Sequence, residues 1–237
     1  MAFTLPIDDV MPQVIDALRD QDRVVLQAPP GAGKTTRVPL AMLDAGLTNG
    51  RILMLEPRRL AARAAAERMA ATLGEEPGQT VGFRVRGASA VSKSTRIEVV
   101  TEGILTRMLQ DDPDLPGVGA VIFDEFHERS LNADLGLALC LEGAEALRDD
   151  LLIVAMSATL DAAPVAALMQ APVVTSEGRS FPVTPHWLDR PVGKQRFEQA
   201  VADLVLHALD TAPGSALVFL PGEGEIRRVE SALAGRL

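Results

Sequence analysis

A short apolar run, Val24-Val25-Leu26, leads straight into Gln27-Ala28-Pro29-Pro30-Gly31-Ala32-Gly33-Lys34-Thr35-Thr36, and helix-compatible residues follow as far as Ala45. A buried strand, a glycine-rich loop and a helix in that order aim backbone N–H groups and a helix N-terminus at one point, which suits an anion. The strict phosphate-loop pattern begins with Gly, and here position 28 is Ala; Gly33, Lys34 and Thr35 keep the rest. Pro29 and Pro30 stiffen the approach to the loop. In this reading Lys34 reaches the β- and γ-phosphates of a nucleotide and Thr35 holds Mg²⁺. The competing reading is a glycine-rich turn that merely opens a helix.

The strand–helix alternation continues. Strand-like runs fall at Val24–Gln27, Arg51–Leu55, Arg96–Thr101, Ala120–Phe123 and Leu151–Met156, with helical patterns near 36–46, 59–73, 103–110, 131–147 and 161–170. Val/Ile/Leu-rich strands alternating with helices predict an α/β fold, a mostly parallel sheet covered by helices on both faces. Ligands of such sheets sit beyond the carboxyl ends of the strands. Beyond residue 171 the pattern changes to a Pro-, Gly- and Ser-rich stretch, read as a domain junction with one or two extended strands. A helix is expected at 195–210, then strand, turn and helix start over Ser215–Ile226. This divides the chain into a first domain, 1–175, and a linker with the start of a second, 176–237.

Composition narrows the function. The 237 residues carry a net charge of −9, which argues against a surface that is basic throughout, though not against a local basic groove. Aromatics are only 3% and Tyr is absent, so base-stacking platforms are not expected. No apolar run reaches the ~18 residues of a membrane span, and the N-terminus lacks the shape of a signal peptide. The single cysteine, Cys140, rules out an internal disulfide framework and fits a cytoplasmic location.

Hydrolysis needs more than a phosphate loop. Val121-Ile122-Phe123 runs into Asp124-Glu125-Phe126-His127. An Asp at a strand end can hold Mg²⁺, and the following Glu can act on the attacking water. The alternative is a solvated acidic strand end. His127, beside the acid pair, is read as coupling the site to a neighbour, with Ser157 and Thr159 of Met156-Ser157-Ala158-Thr159 as its partners. Those two residues could instead cap the helix that follows. His186 and His207 are read as structural.

Together, "LQAPPGAGKTT", "LEPRRLAARAAAERMA", "VVTEGILTRML", "DEFHERSLNADL", "MSATLD", "EGRSFPV" and "LVFLPGEGEI" resemble the DEAH-box group of superfamily 2 nucleic-acid helicases, in particular the bacterial HrpB-type ATP-dependent RNA helicases. The resemblance spans nearly the whole chain. It implies a RecA-like P-loop domain plus the start of a second RecA-like domain, with ATP (other nucleoside triphosphates staying open), Mg²⁺ and single-stranded RNA as ligands; DNA stays open as well. It implies that Pro30, Gly31, Ala32, Gly33, Lys34, Thr35 and Thr36 hold the nucleotide phosphates. Asp124 would be the metal-side acid with Thr35, Glu125 the catalytic base, and His127, Ser157 and Thr159 the coupling set. Arg68, eleven residues after Pro57, matches a position where such helicases stack an Arg on the nucleobase; a solvated helix-face Arg is the alternative.

On the nucleic-acid side, Pro57-Arg58-Arg59 at a strand end and helix start can meet phosphate. Arg84 and Arg86 of Gly-Phe-Arg-Val-Arg-Gly are expected on one side of an extended segment, and Thr101 offers a hydroxyl. Singly each Arg is a solvated charge; in motif order they read as a phosphate track. Phe126 departs from the usual Ala of Asp-Glu-Ala-His and is expected to point away from the chemistry on a strand. The family's arginine fingers, which belong to its second RecA-like domain, have no counterpart before Leu237. Three other readings compete: a small-molecule P-loop kinase, a nucleotide-switched binding module without hydrolysis, and a DNA helicase. The first leaves Asp-Glu-x-His, Ser-Ala-Thr and Pro-Arg-Arg without a role, and the second leaves Glu125 without one.

Overall fold

The computed structural model describes residues 4–158, 162–178, 182–188 and 197–236. Eight strands build one sheet: β1 (Arg23–Gln27), β2 (Arg51–Leu55), β3 (Val81–Val85), β4 (Ala88–Ala90), β5 (Ile97–Val100), β6 (Val118–Phe123), β7 (Leu152–Ser157) and β8 (Val173–Thr175). Their order is β4-β3-β5-β2-β6-β7-β1-β8, and every pairing is parallel except the β3–β4 hairpin at one edge. The helices are α1 (Met11–Gln21), α2 (Lys34–Asp44), α3 (Arg59–Leu73), α4 (Glu102–Asp111), α5 (Leu131–Ala146), α6 (Ala163–Met169), α7 (Phe197–Thr211) and α8 (Glu223–Leu233).

The period-2 alternation of strand side chains sorts the core into two layers. Val24, Leu26, Ile52, Met54, Ile122 and Val154 pack with α1, α2 and α3. Val25, Leu53, Leu55, Val121, Phe123 and Ile153 face the other way and pack with α4, α5 and α6. Central strands buried on both faces are why β6 and β7 read as unbroken apolar runs. The fold is α/β, as expected.

Contacts divide the chain into two units, Met1–Ser180 and Phe181–Leu237. In the second, α7 and α8 pack together, joined by ion pairs such as Arg228–Glu198 at 2.6 Å. The strand expected near 215–220 is not formed. A strand needs a neighbour to hydrogen-bond, and the described residues of this unit contain none; Leu217 and Phe219 stay exposed. The sequence reading also missed α1 and β4. β8 is only three residues long and adds to the sheet beside β1.

Candidate nucleotide and nucleic-acid site

The loop after β1 is held from below by the N-terminal segment. Ile7 N–H donates to the Ala32 carbonyl at 3.2 Å. Gly31 and Gly33 have φ of 77° and 100°, in the left-handed region. A Cβ at Gly33 would sit 2.6 Å from Leu5 Cδ1, so the loop is closed there by packing as well as by its backbone. At Gly31 a Cβ would meet nothing within 4 Å: the space beside that backbone is open. Gly33 precedes α2 with no side-chain cap on the helix N-terminus, which leaves its first N–H groups to an outside acceptor. Lys34 is buried, and its ammonium donates to the Ala28 carbonyl at 2.9 Å. Pro39 inside α2 has no N–H to give to the carbonyl four residues earlier, that of Thr35.

Asp124 follows β6. Its amide donates to the Leu55 carbonyl at 3.0 Å, and its Oδ1 accepts from Glu125 N–H at 2.9 Å. Its Oδ2 is buried and has no hydrogen-bond partner. Burial drives the Asp124 carboxyl up to about 6, with the Thr35 hydroxyl and Lys34 pulling it down and Glu125 pushing it up. Thr35 and an orphaned buried carboxylate oxygen are a fitting start for a hard divalent cation, which takes one or two protein oxygens with phosphate and water. Among the described residues no three His, Cys, Asp or Glu side chains form a metal site by themselves, so phosphate oxygens would have to complete this one.

Glu125 adopts a left-handed conformation, φ 49° and ψ 34°, that most non-glycine residues avoid. Phe126–Glu128 form a 3₁₀ turn. Phe126 therefore does not lie on a strand as expected: it turns inward, edge-on to Phe123 at 6.0 Å and 82°, and Arg129 covers its outer face. A large apolar ring beside an apolar strand end is better buried than extended. The expectation that Phe126 keeps off the reacting groups rested on the wrong local geometry.

His127 Nδ1 accepts from Ala158 N–H at 3.3 Å and lies 3.3 Å from Glu125 Oε2. One nitrogen cannot serve both: its lone pair suits the amide, and a proton on it suits the carboxylate. Ser157, buried at the end of β7, lines the same cavity of about 90 Å³ as His127. The partner seen for His127 is thus a backbone amide of the expected Ser-Ala-Thr segment. Thr159 lies outside the described residues.

The basic candidates lie beyond β2, β5 and β3. Arg58 is exposed and reaches Glu56 at 3.6 Å and Glu128 at 3.3 Å. Arg59 opens α3 and donates to the Arg86 carbonyl at 2.6 Å, joining the helix start to the β3–β4 turn. Thr101 caps α4 without a side-chain cap bond. Arg84 does not join this group. It sits within β3 and reaches the fully buried Glu98 at 2.9 Å, with Arg51 on the other oxygen at 2.8 Å. Arg86 lies past the strand end in the turn, so the alternation argument, which holds only inside a strand, fails for the pair. Arg68 is exposed on α3, which packs against α2.

A model of the DEAD/DEAH box helicase family matches residues 9–168. The chain belongs to the DEAD/DEAH box helicase family. This helicase segment is 54% identical to the ATP-dependent RNA helicase HrpB of Escherichia coli over 235 residues, 99% of this chain and 29% of that protein. It is 35% identical to the human ATP-dependent RNA helicase DHX30, covering 97% of this chain and 21% of that protein. The crystal structure of the Escherichia coli DEAH/RHA helicase HrpB superposes with a TM-score of 0.89 over 98% of this chain and 30% of that one. The segment thus spans under a third of the length of these relatives. Among the described residues no helix is long and apolar enough to cross a membrane.

The sequence reading missed Glu56, the residue before Pro57. It is buried at the end of β2, and its carboxyl is pushed up to about 7, first by burial and then by Asp124. The signal was present: an acid ending an apolar strand, as Asp124 does. The reading also missed Ser176 and Gly178. Ser176 N–H donates to the Gln27 carbonyl at 2.8 Å and its hydroxyl to the Pro6 carbonyl at 3.1 Å. A Cβ on Gly178 would collide with the Pro29 ring, so the "EGRSFPV" segment begins against the loop after β1.

Proposed function

We propose that this chain is the N-terminal part of an ATP-dependent RNA helicase, which couples nucleoside triphosphate hydrolysis to movement on or unwinding of RNA. One observation carries the reading. The phosphate loop and Asp124–Glu125 share a single sheet edge with Arg58, Arg59, Arg86 and Thr101, on neighbouring strands. A small-molecule kinase has no use for that second group.

In this mechanism Pro30–Thr36 cradle the phosphates, with Lys34 leaving the Ala28 carbonyl to meet them. Thr35 and Asp124 would hold Mg²⁺, which would supply positive charge against the phosphate groups. Glu125 takes the proton of the attacking water. His127, with Ser157 and Thr159, links this chemistry to the adjoining strand. Arg68 stacks on the nucleobase, where a guanidinium accepts any base. Residues 1–175 form the first RecA-like domain, and 176–237 a linker and the beginning of a second. The segment alone binds nucleotide and hydrolyses it slowly, because the arginines that neutralise the γ-phosphate belong to the rest of the second domain, a loss of ~10³-fold or more.

The test is ATP turnover by this segment and by a version extended through the second domain, each with and without single-stranded RNA and DNA of equal length. Turnover by the extended form alone, stimulated more by RNA than by DNA, supports the reading. Fast hydrolysis by the segment, indifferent to nucleic acid, replaces it with a self-contained ATPase. Equal stimulation by DNA removes the RNA preference.

A further inference from the structure

Three residues stand in register across three adjacent strands at the carboxyl edge. Leu55 of β2 pairs with Val100 of β5 and with Phe123 of β6. The next residue on each chain is therefore Thr101, Glu56 and Asp124. Glu56 N–H donates to the Val100 carbonyl at 2.9 Å, and the Leu55 carbonyl accepts from Asp124 N–H at 3.0 Å, so the parallel ladder continues through this row. Neighbouring strands lie about 4.8 Å apart, and residues in register point to the same face. Glu56 thus sits between a candidate nucleic-acid contact and the candidate metal-side acid.

Its side chain is 4% exposed, yet it reaches outward. Glu56 Oε1 lies 3.6 Å from Arg58 Nε and 3.4 Å from Arg58 N–H. Arg58 has the opposite character: its side chain is 61% exposed and its other contact is Glu128 at the surface. A buried carboxylate beside two more carboxylates therefore depends on a cation that an incoming phosphate can claim.

We infer that Glu56 is the positioning residue through which nucleic acid held at Arg58 acts on the hydrolytic pair Asp124–Glu125. The inference rests on the helicase reading above. A phosphate that draws the Arg58 guanidinium outward leaves Glu56 without its counter-charge. The change falls on the adjacent strand end, because the ladder that carries Glu56 also fixes Asp124 through the Leu55 carbonyl. Nothing covalent is required. Glu56 holds Arg58 in place when nucleic acid is absent and passes its release to Asp124 through the shared strand row when it is present. It competes with phosphate for Arg58 throughout.

The experiment compares wild type, Glu56→Gln and Glu128→Gln in the full-length enzyme. Three quantities are read: ATP turnover alone, turnover at saturating single-stranded oligouridylate, and the oligouridylate concentration giving half the stimulation. Glu56→Gln is expected to reduce the stimulated-to-basal ratio about fivefold or more, the usual scale of coupling between sites, while the half-saturating concentration stays the same or falls. Glu128→Gln keeps the ratio. An unchanged ratio in Glu56→Gln overturns the inference. So does a ratio that falls together with weaker oligouridylate binding, because that marks local collapse. If Glu56→Gln does not fold, Glu56→Asp replaces it, with a partial loss of ratio expected and an intact ratio overturning the inference. If the wild-type enzyme shows no stimulation by RNA, it is the helicase reading that fails.

Discussion

The two halves of the carboxyl edge are built on opposite principles. Beyond β1 and β6 the polar groups are buried and few. Lys34 and Asp124 are each 4% exposed, one carboxylate oxygen has no partner, and Gly31, Gly33 and Glu125 hold left-handed backbone. Beyond β3 and β2 the arginines are exposed and held by replaceable contacts, such as Arg58 with Glu128 and Arg59 with a backbone carbonyl. A compact, highly charged ligand is gripped best by desolvated, preorganised groups, which cost the empty protein stability. A polymer that must be released and gripped again is better served by exposed charges, each weak and screened by salt. One sheet edge carries both because parallel strands end there together.

The strongest way to break the contrast is at Glu125. In the full-length enzyme Glu125→Gln is expected to lower turnover by about 10³-fold, the scale of a general base, with nucleotide affinity retained. Turnover equal to wild type removes Glu125 from its role. At Lys34, which contributes a buried cation, Lys34→Ala is expected to weaken nucleotide binding by this segment about 10–100-fold, the worth of one charged hydrogen bond. Equilibrium titration with a fluorescent nucleotide measures it; an unchanged dissociation constant moves the binding site elsewhere.

The cost of the buried half can be read from its pH dependence. The Asp124 carboxyl lies near 6 in the fold against its ordinary 3.8. A raised folded value means the fold prefers the protonated form. Below about pH 4 the residue is protonated folded and unfolded, with no penalty. The penalty grows between pH 4 and 6 and is complete above, at roughly 3 kcal/mol. Asp124→Asn is therefore expected to melt roughly 5 °C or more above wild type at pH 8, with the gap reduced to about a third by pH 4.5. A gap that does not depend on pH would mean that Asp124 carries no desolvation penalty.

The buried half was also the more legible in sequence. An apolar strand running into Gly31-Ala32-Gly33-Lys34-Thr35, or into Asp124-Glu125, places polar groups at a strand end by chain direction alone, and the β1, β2 and α3 boundaries fell within a residue of those expected. What stayed hidden depends on partners distant in the chain. Glu56 ends an apolar strand as Asp124 does, but its place beside Asp124 shows only once β2 is known to lie between β5 and β6. Phe126 turns inward because Glu125 takes a left-handed conformation, which no local pattern announces. Segment 215–220 has strand composition but no strand beside it among the described residues.

Arg84 and Arg86 give the finest test, because the sequence treats them alike and the fold does not. Arg84 is one of two cations on the fully buried Glu98; Arg86 is exposed at the turn beside Arg59. Arg84→Ala leaves that carboxylate with Arg51 alone, a loss of about 1–3 kcal/mol or some 2–4 °C for each kcal/mol in a domain of this size. The salt dependence of RNA binding should not change. Arg86→Ala should leave the melting temperature alone, weaken RNA binding a few-fold regardless of sequence, and reduce the slope of log affinity against log salt by about 0.7 for one lost phosphate contact on a single strand. If Arg84→Ala changes the slope and Arg86→Ala does not, the phosphate track runs along β3 itself, and the division of the edge into a buried and an exposed half no longer holds at that strand.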